Sequence, residues 1–128
     1  MEYVIYLDEV MGLVLVTASG DWVPAIDNNM IHEIMDVVET KKLSRVLLDI
    51  SALHFDFPMI QIFERVRDVR EFRLEHNQIS SKVALVYSAS NTKVEQDMQF
   101  FETVAQNRSL PYRIFTDVND ARKWLAAP

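Results

Sequence analysis

His54 and Asp56 are the two side chains in this sequence best placed for proton chemistry. An imidazole and a carboxylate two residues apart can share a proton as acid and base, or offer two ligands to a metal ion. The competing reading makes Asp56 a helix cap and His54 a solvated loop residue, since no third ligand or nucleophile stands near them in the chain. Ser51, Ser88 and Ser90 fall close to expected strand ends, but a nucleophilic serine needs a partnered base and the sequence holds no Gly-x-Ser-x-Gly elbow. Two glycines cannot build a phosphate-cradling loop, so capping and turn bonding are the expected serine roles. Asp97 steps onto the apolar arc of an expected helix beside Phe101 and Val104. It reads either as a buried carboxylate of raised pKa or as an edge residue paired locally. His32 is expected on the polar face of a helix, and His76 in a polar loop. The absence of cysteine excludes disulfides, thiolate zinc sites and a cysteine nucleophile. These residues predict no enzyme, no metal and no cofactor.

The apolar residues near His54 carry more. Phe55, Phe57, Pro58, Met59 and Ile60 cannot all point inward from one loop and the helix start that follows it. They either plug the top of the core or form an exposed patch, of the sort that marks partner and ligand surfaces. Phe72 falls by helical stepping between Arg65 and Asp68, on the polar side of the same helix, and is expected at the surface.

These residues need elements to hold them. Tyr3–Leu7 and Leu13–Ser19 are β-rich runs around a turn closed by Gly12, which predicts an opening hairpin. From about Ala25 to Thr40 the period becomes helical, with Ile26, Met30, Ile31, Ile34, Met35, Val37 and Val38 on one side. Arg45–Ile50 is a short apolar run suited to a buried parallel strand, and Leu48 is expected in the core there. A second helix is predicted over Pro58–Glu75, with Met59, Ile62, Phe63, Val66 and Val69 inward and Leu74 near its end. Its many charges sum to zero and read as a solvated face laced by pairs such as Arg67 and Glu71. Arg70 and Arg73 intrude on the apolar stripe in the last turns, where cations suit the helix dipole. Lys82–Tyr87 is a further strand, and Ser90 or Asn91 caps a third helix carrying Val94, Met98, Phe101, Val104 and Ala105. Tyr112–Phe115 is the last strand, and Asp117 caps a final helix with Ala121, Trp124 and Leu125. The order β-β-α-β-α-β-α-β-α predicts an α/β fold on a mostly parallel five-stranded sheet, its first strand antiparallel.

Length and charge bound the rest. A chain of 128 residues is expected to form one domain over its whole length. A net charge of −6 argues against a nucleic-acid partner, because phosphate binding draws on a basic face. Met1-Glu2-Tyr3-Val4 does not open a signal peptide. The apolar runs fall far short of the roughly 20 residues a bilayer span requires. A cytoplasmic location is the resulting expectation.

Arg45–Ile50, Lys82–Val86, and Tyr112–Asp117 followed by Ala121-Arg122-Lys123-Trp124-Leu125 resemble the SpoIIAA-like family of the STAS (sulfate transporter and anti-sigma-factor antagonist) fold group. The resemblance covers nearly the whole chain in element order. It implies a β-α superhelical sheet and a small, stand-alone bacterial protein. Anti-sigma-factor antagonists open their second helix with an Asp-Ser-Ser-Gly type turn, whose serine accepts phosphate from a partner kinase. Here Asp56 is retained, and Phe57-Pro58-Met59 replace Ser-Ser-Gly. The phosphate-accepting hydroxyl is missing.

Three functions follow. The first is a non-enzymatic binding or regulatory module, acting through protein contacts at the strand-end edge and the second helix, with a homodimer as its simplest form. The second is a small apolar-ligand or lipid-binding domain, its pocket lined by Trp22 and the Phe55–Ile60 loop. The third is an enzyme using His54 and Asp56.

Overall fold

The computed structural model describes residues 1–78 and 81–127. Nine elements follow in the predicted order: β1 (Glu2–Asp8), β2 (Leu13–Asp21), α1 (Pro24–Lys41), β3 (Arg45–His54), α2 (Met59–Glu75), β4 (Lys82–Val86), α3 (Thr92–Asn107), β5 (Tyr112–Phe115) and α4 (Val118–Ala126). The strands lie side by side in sequence order, β1-β2-β3-β4-β5. β1 runs antiparallel to β2, with Glu2 opposite Ser19 and Asp8 opposite Leu13. All later pairs are parallel. Gly12 closes the hairpin at φ 66°, a left-handed conformation that costs glycine little, and Met11 N–H donates to the Asp8 carboxylate at 3.1 Å.

Alternation along the strands sends residues to two unequal layers. Val14, Val16, Val46, Val83 and Leu85 face a large core filled by α1, α2 and α3. Leu13, Leu47, Ala84 and Val86 face a small core closed by Ala121 and Leu125 of α4. α4 packs on β3, β4 and β5, leaving Val4 and Tyr6 of edge strand β1 at 69% and 63% exposed.

Caps follow the sequence where polar residues precede a helix. Asn91 accepts from Val94 N–H at 2.9 Å, and Asp117 accepts from Asn119 and Asp120 N–H. α2 has no such cap: Pro58 occupies the position and Asp56 does not reach back. Three further expectations are corrected. β3 runs four residues past Ile50, so His54 is the last residue of a strand. The inward stripe of α2 is Ile62, Val66, Val69 and Arg73, while Met59, Phe63 and Leu74 are exposed. Arg73, which helical stepping puts on the apolar stripe in the last turns, takes a core position there. Finally, Arg67 pairs with its neighbour Asp68 at 3.4 Å; its predicted partner had been Glu71.

Candidate functional site

A cavity of about 270 Å³ lies between the sheet and the three helices on its larger layer. Val46, Leu48, Ile50, Val83 and Leu85 supply its floor, and α1, α2 and α3 its walls. Leu48 occupies the middle strand but is only partly buried, because it faces this space; the expected full burial is corrected.

A polar cluster bridges α1 and α2 along one wall. Asp27 is buried in the first turn of α1, where a carboxylate suits the helix dipole. Arg65 of α2 reaches it at 2.6 Å and donates to the Asn28 side-chain oxygen at 2.9 Å. The Trp22 indole N–H donates to Asp27 at 2.9 Å. Burial raises the Asp27 pKa, and Arg65 and Trp22 offset part of that. Neither Asp27 nor Arg65 stood out in the sequence. Asp27 could have been found, since it lies three and seven residues before the core positions Met30 and Ile34.

Arg73 closes the deep end at 0% exposure. Its Nε donates to the Gln78 carbonyl at 2.9 Å and an Nη to the Ser81 carbonyl. Its guanidinium lies 5.2 Å from the Tyr112 ring centroid. Burial raises the Tyr112 phenol pKa, against the pull of Arg73.

The residues singled out in the sequence divide between this cavity and the surface. Trp22, Phe55 and Phe57 line the cavity and pack on each other, Phe57 standing edge-on to Trp22 at 4.6 Å and stacked on Phe55 at 5.3 Å. This half of the apolar loop belongs with the core. The other half does not: Met59 and Ile60 are each 64% exposed and Phe63 is 40% exposed. Phe72 is half-buried, its ring 4.3 Å from that of His32 on α1, so the expected free aromatic has an intramolecular partner.

His54 and Asp56 are not brought together. The imidazole sits 3.6 Å from Asp21, both side chains in solvent. Asp56 pairs with Lys93 at 2.7 Å, and Lys93 also reaches Asp97 at 2.7 Å and the Phe57 carbonyl at 3.3 Å. Asp56, then Asp97, raise the Lys93 pKa. Lys93 thereby fastens the β3–α2 loop to α3, and Asp97 is the locally paired edge residue of the blander expectation. Ser51 donates its hydroxyl to Asp49 at 2.6 Å. Among the described residues, no three acidic or histidine side chains gather as a metal site. No described helix is long and apolar enough to cross a membrane.

The arrangement is a STAS/SpoIIAA-like fold. No family model matches the chain and no curated protein matches it in sequence. Among solved structures it is similar to an anti-sigma factor antagonist from Mycobacterium paratuberculosis, at a TM-score of 0.60 over 98% of this chain and 96% of that one. The two share 10% sequence identity, so the likeness is one of fold.

Proposed function

We propose that this chain is a non-enzymatic regulatory module that binds a protein through the first turns of α2. The supporting observation is the patch of Met59 and Ile60, each 64% exposed, continued by the open side of Phe63, which is 40% exposed and rests edge-on to Phe100 at 5.2 Å. Each forgoes part of the roughly 1.5–3 kcal/mol that full burial of such a side chain contributes, and a partner surface recovers it. The anti-sigma factor antagonist that shares the fold makes a protein the natural class of partner. Phe57 and Pro58 carry no hydroxyl, so the contact is not switched by phosphate at that turn.

A photo-crosslinking residue placed at Ile60, and separately at the exposed Val10 of the hairpin turn, tests this in the cells that make the protein. A discrete adduct from position 60 alone is expected, and Ile60→Asp should compete poorly for it while melting within about 0.5 kcal/mol of the parent. An adduct of twice the chain mass identifies the partner as a second copy. Equal labelling from both positions, or none from position 60, overturns the proposal.

A further inference from the structure

Protein interiors pack to crystalline density, with few voids larger than a water molecule. The space between the sheet and α1–α3 departs from that rule. At about 270 Å³ it lies between the ~150 Å³ of an apolar cavity that takes up benzene and the ~300 Å³ at which ligand pockets commonly begin. Water is a poor occupant along the sheet side, since each molecule needs two to four polar partners and the floor there is Val, Leu and Ile.

We propose that this cavity binds one small, neutral, mostly apolar molecule. At the roughly 30 Å³ that a water-sized group takes up, about nine non-hydrogen atoms fit. Charge decides against an anionic head. Asp27, Glu64, Asp68 and Asp97 line the space against only Arg65 and Arg73. Both guanidinium groups are already engaged, Arg65 by Asp27 and Asn28, Arg73 by the carbonyls of Gln78 and Ser81. A carboxylate entering here would meet those four acidic side chains and compete with the partners the two guanidinium groups already hold. The exposed lining residues Pro24, Asn28 and Glu64 mark the way in, between α1 and the start of α2. The Asp27–Arg65–Asn28 bridge crosses that slot, and Trp22 braces it through Asp27. The site is independent of the protein-contact reading, because Met59, Ile60 and Phe63 are not part of its lining.

The methionines provide the test. Met30, Met35 and Met98 are buried and line the cavity, whereas Met11 and Met59 are exposed and do not. The protein, labelled with carbon-13 at the methionine methyls, is titrated with 1-octanol and with octanoate while the methyl resonances are followed. Octanol should shift Met30, Met35 and Met98 saturably and leave Met11 and Met59 in place, with octanoate binding at least tenfold more weakly. Ile31→Phe, which fills the cavity from α1, should abolish the octanol shifts. Absent shifts, or non-saturating shifts of all six methionine methyls together, overturn the site. Octanoate binding as tightly as octanol overturns the neutral class. The titration of the parent decides the matter even if Ile31→Phe does not fold.

Discussion

Tyr87 shows how a single buried hydroxyl ties stability to pH. Its side chain is buried at the end of β4 and donates to the Glu95 carboxylate on α3 at 2.7 Å. Burial, then that hydrogen bond, raises the phenol pKa from 10.0 to about 12. A raised folded pKa means that the neutral phenol favours the native state. The contribution is complete below pH 10 and is lost as the pH climbs through 12. Denaturant melts across pH 9 to 12 should record that loss in the parent, and Tyr87→Phe should flatten it. Absorbance titration of the folded protein should show Tyr87 ionising late alongside the buried Tyr112, and the same variant should remove one tyrosine's share of that late change. A parent and variant that lose stability in parallel above pH 10 would remove Tyr87 from the explanation.

α2 is the element where apolar counting and packing part company. A helix with eight charged residues between Glu64 and Glu75 reads as a salted surface, yet Arg73 is one of the largest fully buried side chains in the molecule. Helical stepping puts Arg73 on the apolar stripe, but what keeps a charge there is a demand that periodicity does not express. The connection to β4 presents the carbonyls of Gln78 and Ser81 to the interior, and buried carbonyls must be paired. Turning Arg73 inward rotates the stripe toward Ile62, Val66 and Val69, which exposes Met59 and Phe63. Arg73→Leu should therefore cost about 3 kcal/mol in chemical denaturation, since it orphans buried acceptors. Arg73→Lys should recover little, because an ammonium lacks the fork that reaches both carbonyls. Full stability in the leucine variant would mean that water or another donor serves those carbonyls. The strands and the caps Asn91 and Asp117 were legible because apolar runs and capping residues are local signals. The Asp27–Arg65 bridge was not, because its members lie 38 positions apart and each alone looks like surface charge.

At the scale of the whole molecule, element order alone carried the parallel sheet and the antiparallel first strand, since connection lengths leave few alternatives. The cavity was beyond reach, because a void depends on how far three helices stand from one sheet. The same lopsided layering has a colloidal consequence. β1 closes one side of the sheet with a row of unpaired backbone groups, and α4 lies over β3, β4 and β5. Between Glu2 and Asp8 it reads Tyr-Val-Ile-Tyr-Leu, five residues with no charge, proline or glycine, the composition that stacks edge to edge into fibrils. Only the two flanking carboxylates and the overall net charge of −6 hold such edges apart. Near the isoelectric pH of about 5.0 that repulsion vanishes. Light scattering should then rise with time and with thioflavin fluorescence, and Tyr6→Lys, which puts a cation on the solvent face of the strand, should delay both several-fold. Growth that ignores Tyr6→Lys would place the sticky segment elsewhere in the chain.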